Sequence, residues 1–448
     1  MTFIIKEATV VNEGSIKTCD VLIQNGRIQK IDSQISSTAY PNAQEIPAKG
    51  LHLFPGMIDD QVHFRDPGFT QKADIASESA AAAAGGVTSF MDMPNTLPNT
   101  LTLELLEQKY AMAKTKSIVN YSFFMGINQE NLEEALKVDN ETVCGITDDG
   151  LYFSDDKGIL ANYPDYLEKL FSRSNTLVAL HSEDDGIIAE NYAKAKAKYG
   201  NIPFAAHPEI RSDKACFEAT KRVLEISKKY NNRLHIYHLS SGIEVPLFDH
   251  TLPLEQKRIT VEACVHHLFF NHSDYEKLGQ KIKWNPSVKY EADRLALIEG
   301  LKNDRIDLIA SDHAPHTWAD KEGTYETSMS GAPLVQHNLL VLFELYKRGE
   351  ISLELIAQKV AHAPAIAYKI KERGFIREGY AADLVLVNLN LDEKQSPPLR
   401  YKCGWSPVEQ YRFSSAIEKT WVNGELVFNG QEVIPKKAAA RLSFERDR

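Results

Sequence analysis

The sequence predicts a (β/α)8 barrel with a metal centre at one end and a small β-sandwich built from both chain ends. Three observations predict it. From about Phe54 to about Ile370, strand-like apolar runs alternate with helical stretches, as parallel βα units do. Five of these runs end in a histidine or an aspartate: GMIDDQVHFRDPG (56–68, with His63), VCGITDDG (143–150, Asp149), TLVALHSE (176–183, His181), LHIYHLSS (234–241, His238) and DLIASDHAPH (307–316, Asp312). Both ends of the chain carry short alternating strands instead. Imidazoles and carboxylates converging from the C-terminal ends of successive barrel strands form a hydrolytic metal centre.

Taken in order, residues 2–32 alternate β-branched and polar side chains, with NEG and QNG as turn signals, and read as antiparallel strands. The stretches 75–86, 101–116 and 212–231 have helical composition and spacing; the first is an alanine run ended by Gly85-Gly86. The tail returns to strands at 381–390 and 417–430, with NG turns. The division is therefore 1–53 and 371–448 for the two parts of the sandwich and 54–370 for the barrel.

At 448 residues with 43% hydrophobic content, the chain can fill one large barrel core and a small companion. A net charge of −10 argues against nucleic acid or an anionic membrane as partner and favours small-molecule chemistry. The five cysteines are scattered with no C-x-x-C pair, so neither a disulfide framework nor a cysteine zinc site is indicated. A cytoplasmic protein is expected, because MTFIIKEATVVNEG lacks the features of a secretory leader and no run of about 18 apolar residues occurs.

A lone histidine among fourteen is no argument for a ligand, so strand parity must select. His181 shares a face with Leu177 and Ala179, and Asp312 with Leu308 and Ala310. By the same rule His238 lies with Leu234 and Ile236 on an inward stripe, and His235 points out towards the helices as a structural residue. His207, His250, His272, His337 and His362 lack this context.

VHFRDPG, MPNT (93–96), His181, His238, NPSVK (285–289) and SDHAPH (311–316) together resemble the dihydroorotases, cyclic amidohydrolases of the amidohydrolase superfamily, over essentially the whole chain. The resemblance implies reversible cyclisation of N-carbamoyl-L-aspartate to (S)-dihydroorotate in pyrimidine synthesis, with one or two zinc ions at the barrel mouth. It implies His63, His181, His238 and Asp312 as metal ligands, Asp149 as a bridging carboxylate, and Asp312 as the group that also moves the proton. Arg65, Asn95 and His316 would hold the substrate carboxylate, with Asn285 near the ring. Relatives of this kind form homo-oligomers or associate with aspartate transcarbamoylase.

Two departures stand out. The usual His-x-His after the first strand reads Gln61-Val62-His63, and a neutral amide is a weaker zinc ligand than imidazole. No lysine is available in ITDDG to bridge two metals, which is why Asp149 is the candidate. Alternative readings are a hydantoinase, dihydropyrimidinase or allantoinase, which would not need an Arg/Asn carboxylate clamp, and a non-catalytic partner of the transcarbamoylase.

Overall fold

The computed structural model describes residues 2–151 and 158–445. Eight parallel strands form the barrel: β1 (Met57–Val62), β2 (Val87–Asp92), β3 (Asn120–Phe123, resumed at Met125–Gly126), β4 (Ile146–Thr147), β5 (Val178–Leu180), β6 (Leu234–Ile236), β7 (Ile259–Cys264) and β8 (Leu308–Ala310). Each pairs with the next in sequence, and a bridge from Val62 to His313 closes the ring. The strands are short because their apolar runs are short. Each polar residue that follows a run therefore falls at the rim.

The helices between them follow from local chemistry. Ile75–Ala84 starts at Asp74, whose side chain accepts from Ser77 N at 2.8 Å while Ser77 Oγ reciprocates, a reciprocal cap worth about 1 kcal/mol. Its alanines let the helix lie close on the sheet; left-handed Gly86 follows its end at Gly85, where a Cβ would sit 2.6 Å from Gln336 O. Asp213–Tyr230 is capped by Ser212, stops at left-handed Asn231, and buries Ala215, Ala219, Val223 and Leu224 against the barrel.

The chain ends meet in one eight-stranded sheet. Thr2–Asn12, Ser15–Gln24 and Arg27–Asp32 form a meander through turns at Glu13-Gly14 and Asn25-Gly26, where both residues of each pair have positive φ, as tight hairpins require. His52–Pro55 pairs antiparallel with Leu384–Asn388, joining the head of the chain to its tail, and Ala416–Val422 and Glu425–Phe428 extend the sheet. Its core of Phe3, Ile5, Val21, Ile23, Leu386 and Trp421 is separate from the barrel's. The segment 440–445 then runs back beneath the barrel, where Leu442 and Phe444 pack with Tyr368 and Ile370.

The barrel interior corrects one sequence reading. Ile58, Met91, Phe124, Ala179 and Leu308 point inward, as parity requires for β5 and β8. On β6 the parity is reversed: Leu234 and Ile236 pack outward with Val223 and Leu224, and His235 points into the barrel. His235 is paired with Ala179 on one side and Thr260 on the other, both interior positions, so the sheet register decides its direction. The apolar-stripe rule fails here because the interior holds a polar cluster, described below.

Candidate metal centre

All nine residues singled out from the sequence come to one place, the C-terminal mouth of the barrel. A register shift in β1 between Asp59 and Val62 is a bulge, and it turns both Asp60 and Gln61 inward. His63 follows directly, its loop fixed by buried Asp92, which accepts from Phe64 N at 2.7 Å and pairs with Lys109 Nζ at 2.7 Å. His238 and Asp312 reach the mouth two residues beyond their strands through left-handed backbone, with φ of 38° and 43°. That turn, and not strand parity, delivers His238. Gly150 keeps Asp149 in place, because a Cβ there would lie 2.3 Å from Asn95 Nδ2.

The donor atoms form two linked groups. Asp149, His181 and His238 converge as a triplet: His181 Nδ1 is 3.0 Å from His238 Nε2, and Asp149 Oδ1 is 3.7 and 3.9 Å from these two nitrogens. His181 Nε2 donates to Glu183 Oε2 at 2.8 Å, which leaves its Nδ1 lone pair facing the triplet. Glu183 is itself held by Arg211, through Nε at 2.9 Å and a further contact from Nη2. His63 Nε2 lies 3.4 Å from Asp149 Oδ2 and 3.2 Å from Asp312 Oδ1, while its Nδ1 donates to Asn95 Oδ1 at 2.8 Å. Asp149 thus stands between the triplet and the His63–Asp312 pair. The amide of Gln61 donates to Asp149 Oδ2 at 3.2 Å, and its oxygen accepts from Cys264 Sγ at 3.4 Å.

Electrostatics shows what the triplet and its neighbours are suited to hold. Burial disfavours charge on His63 and His181, but hydrogen bonds to Asp149, with Asp312 for the first and Glu183 for the second, outweigh it and push each imidazole up to about 9. Burial likewise opposes ionisation of Asp149, but bonds from His181, His238 and His63 hold it well below the usual carboxylate range. His238 goes the other way, lowered by burial, and its Nδ1 is buried with no hydrogen-bond partner. Two imidazole nitrogens and a carboxylate oxygen in an anionic setting fit a divalent metal, which would take the place of the protons these groups otherwise bind.

Above this centre opens a cavity of about 370 Å³ lined by His63, Arg65, Asn95, Asp149, Asn285, Asp312 and His316. His181 and His238 are not part of its lining. Arg65 is buried, its Nε donating to Pro315 O at 3.2 Å, and among the described residues no carboxylate lies within ion-pairing distance of its guanidinium. The salt bridges that Arg65 could have made are absent because Asp66 pairs with Lys116 and Glu78 with His313. His316 Nε2 is 3.4 Å from Arg65 Nη2, and its Nδ1 is 3.1 Å from Lys72 Nζ. Asn285 Oδ1 is buried without a partner. The far wall, Met329–Gly331, is held by buried Lys321, which donates to Met329 O at 2.7 Å and Gly331 O at 2.8 Å.

A profile of the amidohydrolase family matches residues 52–427, most of the chain. This chain belongs to the amidohydrolase family. Among curated relatives, a dihydroorotase of Methanosarcina mazei is 31% identical over 98% of this chain and 96% of its own length. An allantoinase of Solibacter usitatus is 32% identical over 98% and 96%. Among solved structures, the L-hydantoinase (dihydropyrimidinase) from Arthrobacter aurescens superposes with a TM-score of 0.90 at 25% identity, covering 99% of this chain and all of that one. These likenesses establish the metallohydrolase barrel and the class, hydrolysis of cyclic amides. Among the described residues no helix is long and apolar enough to cross a membrane.

Sequence reasoning missed three residues of the site. Glu183 carried a signal, since a histidine ligand needs an acceptor for its other nitrogen and HSE supplies one two residues on. Cys264 and Lys72 carried none that distinguishes them from ordinary core and loop residues.

Proposed function

We propose that this amidohydrolase is a zinc-dependent dihydroorotase, interconverting N-carbamoyl-L-aspartate and dihydroorotate. The observation that carries the reading is Arg65: a buried guanidinium with no carboxylate partner, in the wall of the cavity above the candidate metal centre. A buried cation without a counterion is costly unless a ligand supplies one, and a substrate carboxylate fits its planar fork. An uncharged cyclic amide would leave it unpaired. This favours dihydroorotate over the allantoinase and hydantoinase readings that the relatives' names also allow.

In this reading His181, His238 and Asp149 hold the firm metal position, with His63 and Asp312 at its second side. A divalent ion bound there would lower the pKa of the attacking water and polarise the scissile carbonyl. Asp312 takes the proton from that water at its carboxylate and returns it to the departing ring nitrogen; in the biosynthetic direction the same carboxyl works in reverse. Asn95, with Oδ1 engaged by His63, keeps its amide NH2 for the substrate, and His316 and Asn285 face the same cavity. Gln61 directs an N–H at Asp149 and so contributes no donor atom to a metal, which favours one tightly held ion over two at the mouth.

The test is to strip the purified chain with a chelator, restore graded zinc, and follow N-carbamoyl-L-aspartate cyclisation and dihydroorotate hydrolysis. Both activities should vanish and return together. Protein that stays inactive in both directions at every zinc level would point to the non-catalytic reading instead.

A further inference from the structure

Inside the barrel, one layer below the mouth, lies a second group of donor atoms: Asp60 on β1, His235 on β6 and Glu262 on β7, all fully buried. His235 Nε2 is 3.3 Å from Glu262 Oε2 and 3.6 Å from Asp60 Oδ2. His235 and Glu262 are braced from behind. His235 Nδ1 is 2.8 Å from Thr260 Oγ1, which itself lies 3.5 Å from Leu234 O; with the proton on Nδ1, the Nε2 lone pair faces the two carboxyls. Glu262 Oε1 accepts from His238 N at 3.4 Å, which leaves Oε2 for the cluster.

Three acceptor atoms facing one another need either protons or a cation between them. Among the described residues no lysine or arginine lies within ion-pairing distance of Asp60 or Glu262. Neither oxygen of Asp60 meets a donor at ordinary hydrogen-bond geometry, and its polar neighbours are the Glu262 carboxyl and the buried hydroxyl of Tyr368, whose ring lies 5.7 Å from that of His235. The spacing suits a small tetrahedral cation. Zinc bonds of about 2.0–2.2 Å place neighbouring donors about 3.3–3.6 Å apart, which matches the two separations found.

We propose that Asp60, His235 and Glu262 form a second, structural cation site within the barrel core, suited to zinc or a similar divalent transition-metal ion, with the Tyr368 hydroxyl facing its fourth position. None of the three lines the mouth cavity. An ion there is captured as the barrel closes, ties β1 to β6 and β7, and resists chelators that strip the mouth. The site is independent of the substrate reading.

The experiment is elemental analysis of the purified full chain after dialysis against chelator, in wild type, His181→Ala/His238→Ala and Asp60→Asn, with circular dichroism to verify folding. The double variant should retain about one metal equivalent, and refolded with Co2+ it should show the intense visible absorption of a four-coordinate ion. Asp60→Asn should hold about one equivalent less than wild type before chelation. A folded double variant with no retained metal and no cobalt spectrum overturns the proposal, as does an Asp60→Asn protein with unchanged content. Should either variant fail to fold, anomalous scattering at the zinc edge from wild-type crystals decides: a peak between the three side chains supports the site, and its absence refutes it.

Discussion

Replacing Arg65 by methionine separates the carboxylate clamp from every other function of the mouth. The guanidinium is buried, anchored to Pro315 O and against His316 Nε2, and has no carboxylate within ion-pairing distance among the described residues. Its charge is therefore available to a ligand. Truncating one partner of such a buried charge pair costs about 2–5 kcal/mol, a loss of about 30- to 5000-fold in kcat/KM for dihydroorotate. The free enzyme should behave oppositely. Methionine keeps much of the volume and removes an unpaired charge, so the melting temperature should hold or rise. The assay pairs thermal unfolding with hydrolysis of dihydroorotate and of uncharged dihydrouracil. Selective loss on the charged substrate, with stability kept, is the expected pattern. Normal turnover of dihydroorotate, or equal losses on both substrates, would refute the clamp.

Asp312→Asn should fold and bind metal yet lose about 10²- to 10⁴-fold in both directions, the usual range for a general acid/base; more than about a tenth of wild-type turnover would show that the proton moves elsewhere. Glu183→Gln removes the charged acceptor that fixes the His181 tautomer, so metal affinity at the mouth should fall about 10- to 100-fold in a metal-buffered titration, and an unchanged affinity would show that Glu183 serves only Arg211. Glu244 is buried, which pushes its carboxyl up to about 7 despite bonds from Thr220 and Ser241. Because the unfolded chain titrates near about 4.3, the folded state binds more protons between these values, and stability is lost as pH rises through that window. Glu244→Gln should then match wild type near pH 4 and exceed it at pH 8 by up to about 4 kcal/mol in denaturant unfolding. An equal difference at both pH values would contradict this.

The barrel and the convergence of the candidate ligands at its mouth were legible because short apolar runs end in polar residues, a pattern that survives any error in strand boundaries. His181 also obeys simple alternation, while Asp312, like His238, lies two residues beyond its strand in left-handed backbone. His238 does not obey alternation: its place depends on a left-handed residue beyond β6 that no period reveals, and the parity argument reached it for the wrong reason. The same rule sent His235 outward, since it presumes an apolar interior, whereas Asp60, His235 and Glu262 make this one polar. The bulge that turns Asp60 and Gln61 inward together is likewise invisible to a period of two. Lys72 shows the remaining limit. A loop lysine has no periodicity to read, and only the folded loop brings it to His316.

Substrate choice is measured most directly as kcat/KM of the zinc-loaded chain for dihydroorotate, hydantoin, allantoin and dihydrouracil, side by side. An unpaired buried guanidinium at the cavity wall predicts that dihydroorotate exceeds each uncharged ring by at least the roughly 30-fold that such a pair supplies. Hydantoin or allantoin turned over as well as dihydroorotate, or better, would contradict it.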